Sequence, residues 1–569
     1  MKKRLSVWLP VIIAVSIALG IFIGNYYRMS VGQNHKLFSY TGGNKINAVL
    51  ELINEQYVDT VNIHDMVEGV IPKIFSELDP HSLYISAADA AGVNEELEGS
   101  FSGIGVSFNM QTDTILIVSV IPGGPSEKAG LQRFDRIITI NDSIFAGKKI
   151  DQNDVMKNLR GSKNSTVRLG VKRRNIPDLL TFEVTRGDVP VYSVDVAYEV
   201  NKNTGYIKVS KFTRTTYNEL ITAIAKLKQQ GCNAFIVDLR GNSGGIMETA
   251  VNMVNEFLPQ GRLIVYTEGK AYPRSDIYAN GTGTCIGDPI VVLTDEGSAS
   301  ASEIFAGAIQ DNDRGLIIGR RTYGKGLVQT QIGLTDGSQL RLTIARYYTP
   351  SGRSIQKEYK MGDNENYEMD IYNRYQHGEF YSADSIKMDN LSEFHTSIGR
   401  TVYGGGGIMP DIFIPSDTSG VTSYFNSVAR TTLNLYTMLY SDEHFEKLSS
   451  FKTYQELYNY LQTQSLLEDF TDFAAEQGIK KRPTLIAISA KLIESQLYAY
   501  IVRNFFDEAG FFPIYYKDDP TLLRAIQVIK EGKSVPTLDS LSEKSISECA
   551  SPLRRYSLSK ERVHEHKVG

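Results

Sequence analysis

Apolar positions along the first quarter of the chain follow a helical period. An unbroken apolar run, Val7 to Ile23, comes first, and Val49, Leu50, Ile53, Val58, Val67, Val70, Ile71 and Ile74 then recur at three- and four-residue steps. From about Phe101 to Arg186 the pattern changes to short alternating strands. These are broken by a Gly-Gly-Pro turn at Gly123 to Pro125 and by one helix near Asp151 to Leu159, and they predict a small β-rich domain. As far as about Ser416, buried strands such as Ala234 to Leu239 and Ile290 to Thr294 alternate with helical runs such as Ile246 to Phe257, the pattern of an α/β layer. Between about 357 and 398 that pattern gives way to Asp, Glu, Asn and Tyr, and this stretch reads as an insertion. Helical spacing returns after Val421. Pro483 to Gly510 is the best marked helix, with Pro in its first turn, Gly at its end and a stripe of Ile486, Ala490, Ile493, Leu497, Ile501 and Phe505. From about Val535 Ser, Glu, Lys and Arg dominate, the composition of a disordered tail.

The expected organisation is therefore a leading segment over 1–28, a helical region over 44–99, the β-rich domain over 100–187, the α/β core over 190–416 and a helical region over 420–534. A tail over 535–569 follows. A length of 569 residues suits several domains of ordinary size. The apolar run with Lys2, Lys3 and Arg4 ahead of it reads as an uncleaved membrane anchor, the other reading being a cleaved signal segment; both put the body on the extracytoplasmic side, and the anchor would hold it at the periplasmic face of the inner membrane. A net charge of -5 leaves no basic excess to neutralise phosphates and excludes a nucleic-acid binder. Cys232, Cys285 and Cys549 are too far apart for a disulfide framework or a CxxC site, and no HExxH occurs, so neither metal nor cofactor is expected.

Three segments carry chemistry. The first runs from the apolar strand Ile290 to Thr294 through Gly297-Ser298-Ala299-Ser300-Ala301-Ser302-Glu303 into a helical face. A hydroxyl on such a turn sits at a helix N-terminus, where free N–H groups favour developing negative charge; Ser300 and Glu303 equally fit a capping box with no catalytic meaning. The second segment, Thr322-Tyr323-Gly324-Lys325-Gly326-Leu327-Val328-Gln329, sets a lysine between glycines. Lysine becomes a base only when neutral, which burial favours, and on an extended chain Gln329 lies on the same face as Lys325. Gly319 to Lys325 spells G-x-x-x-x-G-K, but Gly326 stands where a phosphate loop needs Ser or Thr. The third segment, Asp238-Leu239-Arg240-Gly241-Asn242-Ser243-Gly244-Gly245, closes a buried strand, and its N–H groups can complete an oxyanion hole with that of Ala301. Gly241 to Gly245 also mimics the surroundings of a chymotrypsin-type serine. That chemistry needs a histidine from the same domain, and His35, His64 and His81 all precede the β-rich stretch.

In this order, D-L-R-G-N-S-G-G, G-S-A-S-A-S-E-I and T-Y-G-K-G-L-V-Q resemble the carboxyl-terminal processing peptidases, or tail-specific proteases. The resemblance covers about Gly99 to Ser416. It implies a multi-domain α/β chain with a crotonase/ClpP-like catalytic core behind a PDZ domain, flanked by helical N- and C-terminal regions. By motif position it makes Ser300 the nucleophile, in preference to Ser298 and Ser302, Lys325 the base and Gln329 its assistant. Gly245 and Ala301 become the oxyanion-hole amides. Gly103-Ile104-Gly105-Val106 becomes the PDZ loop that takes a peptide carboxylate, supported by Gly123 to Leu131, while Arg133-Phe134-Asp135 departs from the usual Gly-Asp. Ser351 to Gln356 and Gly404 to Asp411 resemble a core segment that the family runs nearly continuously and that the insertion splits here. The implied activity is a serine endopeptidase acting on proteins with flexible, apolar C-terminal tails, with the helical ends available for self-association. Two other readings of the same scaffold are a non-catalytic PDZ-containing binding protein and a crotonase-like acyl-CoA enzyme.

Overall fold

The computed structural model describes residues 11, 13–23, 45–112, 114–147, 151–387 and 392–537. The basic residues ahead of the apolar run and most of the polar tail lie outside the described residues. The chain divides into two compact units, Met1–Ile71 and Pro72–Gly569. In the first, the apolar helix Ile13–Ile23 is exposed along its length, and the helix Lys45–Gln56 buries Ala48.

The second unit opens with the strand Leu83–Ile85 inside a stretch whose spacing predicts helix. This strand pairs antiparallel with Gln339–Tyr348, so its conformation comes from a partner about 250 residues away rather than from its own pattern. The sheet of the β-rich domain runs Val106–Thr112, Thr114–Val120, Arg136–Ile140, Thr166–Lys172, Leu180–Thr185, each strand antiparallel to the next, around buried Ile115, Ile117, Ile137, Val167, Leu169 and Val184. Its helix Gln152–Leu159 starts where the sequence places it, because the Asp151 carboxylate accepts the Asn153 N–H at 2.6 Å.

The sheet of the α/β core runs Val194–Asn201, Thr204–Val209, Ala234–Asp238, Ile290–Thr294, Leu316–Gly319, Ile412–Phe413, parallel from its second strand onward. Both faces are covered, so its strands read as continuous apolar runs. Side chains alternate between two cores. Phe235, Val237, Ile290 and Val292 face the helices Thr216–Gln229, Met247–Asn255 and Ala301–Asp311. Ile236, Val291 and Leu293 face Val428, Leu457, Ile493, Leu497 and Val502 of the C-terminal helices. The C-terminal region therefore shares a core with the sheet instead of standing apart from it.

The helix predicted for Pro483 to Gly510 runs from Pro483 to Tyr515. Gly510 does not cap it: an added Cβ there would lie 2.7 Å from the Val502 side chain, so the glycine serves packing, and the helical course is interrupted instead at Asp507 (φ 52°, ψ -152°). The helix is long and apolar enough to cross a membrane, yet Ile493, Leu497, Ile501 and Val502 are fully buried in the core. In the inserted stretch, Asn364–Gln376 is a helix, followed by a short hairpin, Glu393–His395 with Thr401–Tyr403.

Candidate active site

Each of the three chemical segments follows a strand of the α/β core's sheet or begins one of the neighbouring sheet. Ser300 is the N-cap of Ala301–Asp311 and holds φ 56°, ψ -113°, a backbone conformation that costs a side-chain-bearing residue of order 1–3 kcal/mol. Neighbouring serines are committed elsewhere: Ser298 Oγ donates to the Leu239 carbonyl (2.9 Å) and Ser302 Oγ to the Asn242 carbonyl (2.8 Å), both fully buried, whereas Ser300 is half-buried. That difference separates the three serines on geometry, which their spacing alone does not.

The glycine turn lies against this N-cap. The Asn242 carbonyl accepts the Ala299 N–H at 3.0 Å, and a Cβ on Gly244 would meet Ser300 Cβ at 2.7 Å and the Ala301 nitrogen at 3.0 Å. Gly245, at φ 144°, would drive a Cβ to 2.1 Å from the Phe212 carbonyl, so only glycine fits. Phe212 donates to Gly244 O (3.0 Å) and accepts from Ile246 N (2.8 Å), which turns the intervening Gly245 N–H away from that strand. Among the described residues neither the Gly245 nor the Ala301 N–H meets an acceptor. The turn itself is anchored by fully buried Asp238, which accepts from Tyr206 Oη (2.7 Å) and Arg240 (2.7 Å); Arg240 also pairs with Asp519 of the C-terminal region at 2.8 Å. The charges of Arg240 and Lys208, opposing the burial, hold the Asp238 carboxyl well below its usual range.

Glu303 joins the serine turn to the lysine loop. Its carboxylate accepts from Thr322 Oγ1 (2.5 Å) and from the N–H groups of Gly324, Ser300 and Lys325, each at 2.8 Å. The last two reach the same oxygen, so the Ser300 and Lys325 amide nitrogens lie at most twice 2.8 Å, or 5.6 Å, apart. The Tyr347 hydroxyl sits against the carbonyls of the same two residues. Burial pushes the Glu303 carboxyl up to about 7 against the pull of its donors. Lys325 is held below the usual lysine range, chiefly by burial and then by the Arg341 charge, with Glu303 and Asp79 opposing.

Lys325 Nζ donates to Gln329 Oε1 at 3.1 Å, and no hydrogen bond joins it to the Ser300 hydroxyl. Lys325 and Gln329 meet although the strand begins only at Leu327 and carries a bulge at Val328–Gln329. The flanking glycines are needed for close packing. A Cβ on Gly324 would meet Lys357 Cβ at 3.1 Å and one on Gly326 the Gln356 nitrogen at 2.9 Å, so they admit the 356–357 segment rather than Ser300. His81, set aside on its position ahead of the β-rich domain, is present at the site: its carbonyl accepts from Gln329 Nε2, and its ring bonds the Tyr367 hydroxyl at 2.9 Å. Burial, then the Lys325 charge, pushes the imidazole down to about 4, and its Nε2 meets the Tyr367 hydroxyl rather than a serine. Nothing in the spacing of His81 or Tyr367 signals this; Glu303 is visible only as a cap.

Gly103, Ile104, Gly105 and Val106 sit at the edge of the β-rich domain's sheet, away from this cluster. Gly103 ends the strand Ser100–Gly103, Val106 begins the next, and Ile104 and Gly105 give their carbonyls to Ser126 N (2.8 Å) and Ile121 N (3.0 Å). Among the described residues their own N–H groups meet no acceptor.

Sequence comparison bears on the same segments. The model of peptidase family S41 matches residues 203–366, a PDZ model matches 102–185, and a model of a family of unknown function matches 424–507. The carboxy-terminal processing protease CtpA of Bacillus subtilis (strain 168) is 34% identical over 362 residues, which cover 63% of this chain and 76% of that protein. The chain belongs to peptidase family S41. A second relative of this S41 peptidase, the carboxy-terminal-processing protease of Bartonella bacilliformis, is 34% identical over 336 residues, or 58% of this chain and 75% of the relative. Among solved structures, the photosystem II D1 C-terminal processing protease covers 55% of the S41 chain and 89% of its own, with 28% identity and a TM-score of 0.31. This S41 peptidase thus joins a PDZ domain and a mixed α/β peptidase core to a helical C-terminal region.

Proposed function

We propose that this chain is a serine endopeptidase that cleaves protein substrates chosen by their C-terminal tails. Ser300 attacks the peptide carbonyl while Lys325 takes its proton and later gives it to the leaving amine; water then resolves the acyl-enzyme. The Gly245 and Ala301 N–H groups stabilise the oxyanion, and Gln329 holds Lys325. The loop from Gly103 to Val106 binds the substrate's terminal carboxylate. The observation that carries the reading is the shared Glu303 oxygen, which keeps a strained serine and a half-buried lysine next to each other. Nζ lies on Gln329, so on this reading the lysine side chain turns to Ser300 Oγ before attack. The apolar helix Ile13–Ile23, with basic residues ahead of it, supports a membrane anchor and an extracytoplasmic body.

The test is cleavage of a protein carrying a flexible apolar C-terminal tail. Ser300→Ala and Lys325→Arg are each expected to lower the rate on the order of 10³-fold or more while tail binding persists, the arginine failing because a guanidinium stays protonated. In the wild type the rate rises with pH as Lys325 deprotonates, with a midpoint below the ordinary lysine value of about 10.4. Undiminished cleavage by Ser300→Ala would refute the reading.

A further inference from the structure

The inserted stretch brings a buried hydroxyl to the network around the base. Tyr367, on the helix Asn364–Gln376 and one residue beyond the part of the chain that the S41 model matches, is buried, and its ring meets His81 edge-on with centroids 5.2 Å apart. Two arms run from its oxygen. One passes through His81 Nε2 (2.9 Å), then from the His81 carbonyl to Gln329 Nε2, and from Gln329 Oε1 to Lys325 Nζ (3.1 Å). The other passes through Gln356 Nε2 (3.3 Å), and Gln356 Oε1 accepts the N–H of Gly326, the residue after Lys325, at 2.8 Å. The first arm holds the lysine's ammonium and the second its backbone.

The far ends of both arms are fixed. Asp79 accepts the N–H groups of His81 and Ser82, each at 3.0 Å, and Thr343 Oγ1 at 2.9 Å, which clamps the His81 turn to the strand Gln339–Tyr348. The Lys357 N–H donates to the Gly324 carbonyl at 2.9 Å, and Lys357 Nζ lies 4.0 Å from the ring centres of both Tyr323 and Tyr367. The charged and titratable groups facing Lys325 are Glu303 from the helix Ala301–Asp311, Arg341 from the strand Gln339–Tyr348, and Asp79 and His81 from the clamped turn. Tyr367 is an uncharged hydroxyl that meets His81 and Gln356.

We propose that Tyr367 is a positioning residue for the base, its hydroxyl closing the two arms that hold the side chain and the backbone of Lys325. The proposal rests on the reading of Lys325 as the base. Without the hydroxyl the His81 ring and the Gln356 amide lose the partner that joins them, and water reaches the lysine. Loss of desolvation restores the charged form, so more alkali is needed to free the base.

The experiment measures kcat, KM and the pH–rate profile of peptide cleavage in Tyr367→Phe, which keeps the ring, beside Ser300→Ala. The expected result is a kcat about tenfold lower, a KM within about twofold of wild type and a rising limb moved up by about one pH unit, so that activity recovers at higher pH. An unmoved rising limb overturns the proposal, whether kcat is normal or has fallen together with Tm, because a merely structural role lowers activity without changing where the base titrates. Cleavage that survives in Ser300→Ala instead overturns the underlying assignment. If Tyr367→Phe loses its cooperative unfolding transition, Gln356→Met, which cuts the backbone arm alone, is measured the same way; the same limb shift supports the proposal and its absence overturns it.

Discussion

Glu303 is fully buried yet receives four hydrogen bonds, one of them from the N–H of the residue assigned as nucleophile and one from that of the assigned base. Burial wins in its titration, raising the folded value from 4.5 to about 7. A group that binds its proton more tightly when folded adds stability at low pH and loses that contribution as pH rises through the folded value. Between about pH 4.5 and 7 the wild-type Tm should therefore fall with pH, and in Glu303→Gln, which cannot titrate, it should fall less steeply over the same window. Parallel curves would show that the carboxyl is ionised throughout. At this scale the sequence was legible where a residue type is unusual for its place. A lysine between glycines and a serine opening a helix stand out, while Glu303 has the ordinary look of a cap. His81 and Tyr367 belong to the site through contacts 248 and 286 residues apart along the chain, which no local pattern encodes.

Among the elements, the departure at Arg133-Phe134-Asp135 turns out to be a joint. Phe134 holds φ 65°, where glycine is at ease, and its buried ring packs edge-on against Phe445 (5.3 Å between centroids) and tilted against Phe505 (5.7 Å) of the C-terminal helices. Around it Arg133 donates to the Asn504 carbonyl at 2.9 Å and pairs with Asp507, while Arg136 and Arg174 both pair with Asp442. Phe134→Gly relieves about 1–2 kcal/mol of backbone strain but gives up a buried ring worth about 3–5 kcal/mol, so the loss of packing decides the sign. The variant is expected to unfold at lower temperature and to show faster amide exchange in the helices Thr432–Glu443 and Pro483–Tyr515; unchanged exchange there would mean that the plug does not hold the PDZ domain. Elements with a strong local period, such as Gln152–Leu159 and Ile290–Thr294, could be read from the chain, whereas Leu83–Ile85 could not, because its partner strand sets its shape.

Over the whole molecule, the covering of the peptidase sheet decides what can be removed. Tyr206, Ile236, Val291, Leu293, Leu316 and Ile318 pack against the C-terminal helices. Six such side chains at about 2 kcal/mol each amount to roughly 12 kcal/mol, comparable to the entire stability of a typical domain. A chain ending at residue 420 is thus expected to be recovered as aggregate, and a soluble product with wild-type Tm would show that the helices are dispensable. The sequence marks the β-rich and α/β stretches as separate bodies, but periodicity cannot say which apolar faces meet, so the core shared by the sheet and the C-terminal helices became visible only in three dimensions. The aromatic joint at Phe134 has a consequence for inheritance. A PDZ domain brought in by recombination from a relative with Gly-Asp at that turn would import its peptide groove without its footing, so in this lineage the domain and the helices beneath it must be passed on together.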